Sequence, residues 1–274
     1  MSGSSGFVVR GIPPERRPVL DRLAGAARRF QVHALVELDV AEAQRRIDAA
    51  VEHVSWTGFV TASVAAAVAL HPEVNARKAG RRVLYFDRVD VGATVERLER
   101  GRATLDIVVL PDADRLSCAE VTAALHRAKV GPAQPHPPVR LLGPVLRLPG
   151  PLRRAAVRAA ATSPAVSASF GPAVGVTSIG MFSSTWGWAV PLAPLTVIVT
   201  VGGVVERPTV RDGLVVARPM LPLTLSFDHA VVDGAPAARF VDTLRTLTET
   251  AAVFDDLSAD QSAAGAAQTT ASAD

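Results

Sequence analysis

The chain has 274 residues, 49% of them hydrophobic and 20% charged, with a formal net charge of +3. That balance fits one large globular domain or two small ones and excludes a disordered or fibrous protein. The longest apolar stretches, Val60 to Leu70 and Ala189 to Val205, are broken before the roughly 18 residues a membrane span needs, and the lone Cys118 rules out an intramolecular disulfide framework or a cysteine-built zinc site.

Residues 1–13 read as a flexible arm without the basic and apolar regions of a signal peptide, so a cytoplasmic location is expected. Pro14 to Arg29 reads as a helix that tolerates Pro18 near its first turn. Val32, Ala34, Val36, Leu38 and Val40 alternate with more polar positions, the period of a half-buried strand. Asp39 and Glu42 then have the spacing of a capping box for a helix with Ala43, Ile47, Ala50 and Val54 on one face. Phe59 to Leu70 reads as an apolar helix ended by His71-Pro72. Val83 to Phe86, Val89 to Val95 and Thr104 to Leu110 read as neighbouring strands, and Ser117 with Glu120 caps a helix reaching about Ala128.

From Gly131 to Pro151 the proline-rich chain has little periodicity and reads as a loop or insertion, followed by a short Arg-bearing helix from Arg153 to Ala161. Strands follow at Val174 to Ser178 and Leu195 to Val201, then a hairpin turning at Asp212-Gly213, and a strand at Leu221 to Phe227. Ala237 to Phe254 is the last amphipathic helix, with Phe240, Leu244 and Leu247 on one face. Residues 257–274 lack a core-forming pattern and read as a disordered tail. The mixture of helices and strands predicts an α/β fold with a mixed, largely antiparallel sheet.

The chemistry concentrates in Ser226 to Phe240, SFDHAVVDGAPAARF, where His229 sits at the end of a strand and Asp233-Gly234 follows four residues later. Imidazole titrates near neutral pH and suits a proton carrier, although a lone His beside an Asp is more often a structural pair. The whole stretch resembles the signature of the 2-oxo acid dehydrogenase acyltransferases, the catalytic domain of the dihydrolipoamide acyltransferases. The resemblance extends to Arg17–Phe30, to Phe59–Ala76 ending in HPEVNA, to PDADRLSCAEV (Pro111–Val121) and to VTSIGMF (Val176–Phe182), in order along the chain.

That resemblance implies a chloramphenicol-acetyltransferase-like two-layer sandwich over residues 14–256, with an insertion at about 131–162. It implies acyl transfer between coenzyme A and a thiol acceptor, with no metal. His229 is then the general base and Thr177 the hydroxyl that stabilises the oxyanion. Ser178 is the fallback, since neighbours in a strand face opposite sides. Asp233 is expected to fix the loop through a salt bridge to an arginine, and Gly234 to serve a sharp turn. The family also implies a homotrimer with sites between subunits.

Two departures from the family and one charge pattern shape these expectations. Ala230 stands where the family's acyltransferases usually carry Arg. No lipoyl or subunit-binding domain is expected ahead of the catalytic region, so a dihydrolipoyl acceptor is expected on a separate chain, a lipoyl-domain protein working with dehydrogenase components. No Asp or Glu lies between Glu120 and Glu206, whereas Arg127, Lys129, Arg140, Arg147, Arg153, Arg154 and Arg158 do, making a candidate surface for coenzyme A phosphates or an acidic partner. The alternatives are a non-catalytic oligomeric scaffold, and acylation of a small-molecule hydroxyl as in chloramphenicol acetyltransferase. Contact of Leu141 to Ala161 with an anionic membrane is disfavoured, because solvated Arg faces are common on short helices, and nothing points to nucleic acid.

Overall fold

The computed structural model describes residues 8, 11–12, 16–99, 102–131, 145, 148–180 and 186–255. Most of the expected N-terminal arm, the proline-rich loop and the C-terminal tail lie outside the described residues.

Helix α1 (Arg17–Ala26) leads into strand β1 (Gln31–Asp39), and α2 (Ala41–Ala49) and α3 (Trp56–Leu70) follow. A hairpin of β2 (Ala76–Ala79) and β3 (Arg82–Tyr85) precedes β4 (Val91–Glu99) and β5 (Arg102–Leu110). Next come α4 (Cys118–Val130), α5 (Gly150–Ala160) and α6 (Pro164–Ala168), then β6 (Val174–Ser178) and β7 (Val197–Val201). Strands β8 (Val205–Arg211) and β9 (Leu214–Asp228) form a hairpin, and α7 (Gly234–Glu249) closes the fold.

Seven strands make one sheet in the order β1-β9-β7-β6-β4-β5, with β8 paired to the outer half of β9. The β4–β6 and β6–β7 pairs are parallel and the other four antiparallel, so the sheet is mixed and largely antiparallel. Helices α3, α4 and α7 pack together as the second layer. Alternation in the strands sets the core between the layers: Leu38, Val174, Val176, Val197, Val199, Leu223, Leu225 and Phe227 all turn towards the helices. Helix α3 is apolar on every side and lies buried from Gly58 to Val68 except at Ala66, as expected of a helix in the middle of its layer.

The other face of the sheet is crossed by the irregular segment 186–196. Trp188 Nε1 donates to Val36 O at 3.1 Å, and Gln31 Nε2 donates to Ala193 O at 3.0 Å. Gly175 makes room for it, since a Cβ there would sit 2.5 Å from Leu195 Cδ1. At the far end, the β8–β9 turn places Asp212 at φ 51° and Gly213 at φ 79°, the left-handed geometry an Asp-Gly hairpin requires.

Several expectations change. Leu221 to Phe227 is the inner half of the 15-residue β9, continuous with the hairpin. The short strand β2 carries Arg77 and Lys78 among four residues and so hides its character. The capping box forms at Ser117 and Glu120, where Glu120 N donates to Ser117 Oγ at 3.1 Å and Ser117 N to Glu120 Oε2 at 2.8 Å. It does not form at Asp39: the cap residue is Val40, Asp39 Oδ1 accepts from Ala41 N at 3.2 Å, and Glu42 pairs with Arg45 and Arg46.

Candidate active site

Strand β9 ends at Asp228, and the chain turns through His229, Ala230 and Val231 before Asp233 caps α7. The turn is tied from several sides. His229 N donates to Phe30 O at 2.7 Å, and Val231 N and Val232 N donate to Asp228 O at 2.9 and 3.0 Å. Asp228 N donates to Thr196 O at 2.8 Å, which fastens the strand end to the start of β7. The imidazole remains 46% exposed, with Nδ1 3.5 Å from Asp233 Oδ1. An N–H on Nδ1 directed at Asp233 leaves Nε2 as the basic nitrogen, the tautomer a general base needs.

Among the described residues no arginine pairs with Asp233, where the sequence led one to expect a salt bridge. Arg29 reaches the carboxylate of Asp228 instead, because Asp228 is only 2% exposed and needs a cation there, whereas the Asp233 side chain is 86% exposed. Gly234 also departs from expectation. It is the first residue of α7, its φ is not positive, and a Cβ would meet nothing within 4 Å, so no sharp turn or close approach in this chain demands glycine.

On β6 the two candidate hydroxyls separate. Ser178 shares the core side with Val174 and Val176 and is buried at 5% exposure, whereas Thr177 points to the opposite face and is half-buried. Arg77 anchors the approach to this strand by donating to Ser167 O and Gly171 O, each at 2.7 Å, and to Pro172 O. Burial and the neighbouring Arg29 charge lower its pKa to about 10, which still leaves it a cation at neutral pH.

Thr177 and His229 do not meet within one chain. Thr177, Thr200 and Thr224 form one register row across β6, β7 and β9, and His229 lies five residues beyond Thr224. That places His229 about 17 Å along the strands and about 10 Å across them from Thr177.

Beside the His229 turn, Val32, Ala34, Phe227, Ala237, Ala238 and Val241 line an open groove of about 350 Å³ between β1 and α7. Burial pushes the Cys118 thiol up to about 12, so it offers no competing nucleophile. Among the described residues no group of three or more His, Cys, Asp or Glu could hold a metal ion, and no helix is long and apolar enough to cross a membrane. Arg153 and Arg154 of the basic stretch both pair with Asp21 of α1, at 2.6 and 3.5 Å, so two of its charges are used internally. Arg140 and Arg147 lie outside the described residues.

Sequence reasoning missed Arg29 and Asp228. The one signal for the second was an acid ending an apolar strand, a carboxylate that burial obliges to find a partner.

Residues 147–254 match the family model for the 2-oxoacid dehydrogenases acyltransferase catalytic domain. The chain is 31% identical over 186 residues to the dihydrolipoyllysine-residue succinyltransferase component of the 2-oxoglutarate dehydrogenase complex of Bartonella vinsonii subsp. berkhoffii, covering 68% of this chain and 38% of that protein. Among solved structures, the cubic core of the pyruvate dehydrogenase multienzyme complex superimposes with a TM-score of 0.66 at 19% identity, covering 91% of this chain and 95% of that one. The Azotobacter vinelandii dihydrolipoamide acetyltransferase, studied for the roles of a serine, a histidine and an asparagine in its catalytic mechanism, gives 0.64 at 21% identity over 91% and 95%. Chloramphenicol acetyltransferase gives 0.50 at 14% identity over 83% and 94%. These structures share the fold of this chain.

Proposed function

The chain belongs to the 2-oxoacid dehydrogenase acyltransferase catalytic-domain family, and from that premise we propose that it moves an acyl group between coenzyme A and a dihydrolipoyl thiol. One observation carries the residue assignment. Thr177 precedes His229 by fifty-two residues and His229 precedes Asp233 by four, the same spacings that separate the serine, histidine and asparagine studied in the Azotobacter vinelandii enzyme. Threonine for serine keeps the hydroxyl, and aspartate for asparagine keeps a side-chain oxygen that can face Nδ1.

The reaction follows from these groups. A thiol with a reference pKa near 8.5 is mostly protonated at neutral pH, so Nε2 of His229 takes its proton as sulfur bonds to the thioester carbonyl carbon. The carbonyl oxygen becomes an oxyanion, to which the Thr177 hydroxyl donates; removal of one such donor elsewhere costs about 2.7–4 kcal/mol. Collapse breaks the original carbon–sulfur bond, and His229 returns the proton to the departing thiolate. No other acid or base is required.

Because Thr177 and His229 stand far apart within one chain, the complete site takes His229 from one copy and Thr177 from the next. A closed ring such as a homotrimer repeats that junction at every interface. The test is turnover of acyl-CoA with free dihydrolipoamide by the purified protein. His229→Ala is expected to lower kcat at least 100-fold, the lower range for a general base. An unchanged rate rejects His229 as the base.

A further inference from the structure

The carboxylate immediately before His229 is buried, charged and bound to both sides of the turn. Asp228 Oδ1 accepts from Ala230 N at 3.1 Å, and Oδ2 is met by the Arg29 guanidinium. Arg29 is followed by Phe30, whose carbonyl accepts from His229 N at 2.7 Å. One dipeptide at the junction of α1 and β1 thus supplies the cation for Asp228 and the acceptor for the His229 amide. The residue before His229, the residue after it and its own backbone are all fixed through Arg29-Phe30 and Asp228.

A carboxylate at 2% exposure is costly to bury, and a strand end has no need of one. Asn or Ser could cap the same amide without a cation. What the charged pair adds is a tie between the turn and a segment far away in sequence, so that the turn cannot shift independently of β1.

We propose that Asp228, held by Arg29, is a positioning residue that fixes the turn carrying His229, an inference that rests on His229 acting as the base. It touches no reacting atom, so its loss acts through the placement of the imidazole. Misplacement by about 1 Å can cost on the order of 100-fold in rate.

The experiment compares steady-state kinetics of D228A, D228N, R29M and H229A, with a thermal melt of each and the rate at which diethyl pyrocarbonate modifies His229, read by peptide mass. D228A is expected to lose about 100-fold in kcat, with KM for acyl-CoA and dihydrolipoamide within about twofold of wild type and His229 modification altered. D228N retains an acceptor for Ala230 N and is expected to keep a kcat between D228A and wild type, with R29M similar to D228N. Wild-type kcat in D228A beside an inactive H229A overturns the positioning role and leaves the base assignment standing. A loss expressed in KM alone also overturns it. Wild-type turnover in H229A removes the base, and the positioning role with it. Should D228A fail to fold, the decision passes to D228N and R29M: wild-type kcat and His229 reactivity in both overturn the proposal.

Discussion

Asp39 ends β1 with a side chain only 6% exposed, and three donors converge on it: Arg218 Nε at 2.8 Å, Arg211 Nη2 at 2.9 Å and Ala41 N at 3.2 Å. Burial alone would raise its pKa, but the bonds from Arg218, Ala41 and Arg211 outweigh it and hold the carboxyl below its ordinary value of 3.8. A carboxyl whose folded pKa is depressed adds stability that is present above the unfolded pKa and is lost as pH falls through the folded one. Asp39→Asn is expected to keep the bond from Ala41 and lose both ion pairs, costing about 2 kcal/mol at pH 7, in the range of hydrogen bonds to charged groups. Because Arg211 and Arg218 are 56% and 39% exposed and return readily to water, the larger cost of stranding a buried cation does not arise. Urea unfolding of the two proteins is expected to show this gap at pH 7 and its progressive closure below pH 4. A constant gap across that range would place the cost elsewhere than in the carboxylate charge.

The segment 186–196 that crosses the outer face of the sheet hides polar groups as well as apolar ones. Thr200 and Thr224 share a register row, are 2% and 0% exposed, and their hydroxyls have no hydrogen-bond partner among the described residues. A buried hydroxyl without a partner costs desolvation and returns nothing, so Thr224→Val is expected to leave stability unchanged or raise it by up to about 1 kcal/mol. A fall of more than about 2 kcal/mol in a thermal or urea melt would reveal a partner such as an ordered water. The same row carries Thr177, which is half-buried rather than fully enclosed, as the hydroxyl role proposed for it requires. The strand at Val174 to Ser178 was legible from sequence, as was the turn with His229, because both rest on local pattern. The Arg29–Asp228 pair was not, since its partners lie 199 residues apart and only the fold joins them. Nor could sequence say that Gly234 begins a helix with an ordinary φ, or that β9 runs unbroken from the hairpin to Asp228, because each depends on which neighbours the sheet supplies.

At the scale of the whole molecule, the separation of Thr177 from His229 turns a question about catalysis into one about assembly. The single chain leaves Leu105, Ile107 and Val109 of edge strand β5 exposed, along with Phe30 beside the His229 turn and Val190 and Leu192 of the crossing segment. Apolar side chains left open at both edges of the sheet suit contact with further copies. If every site joins His229 of one copy to Thr177 of the next, His229→Ala and Thr177→Ala chains are each defective everywhere, yet a mixture contains interfaces where an intact His229 faces an intact Thr177. Random assembly of equal amounts into any closed ring makes about one interface in four intact, so co-refolded variants are expected to recover about a quarter of wild-type turnover. Simple mixing of preassembled rings is expected to recover little until subunits exchange, which gives the result a time course to follow. A site contained in one chain predicts no recovery at any ratio, because each chain would carry its own defect into its own site. Activity of the co-refolded mixture above the sum of the two variants, scaling with the product of their fractions, is the signature that the catalytic unit is the junction between copies.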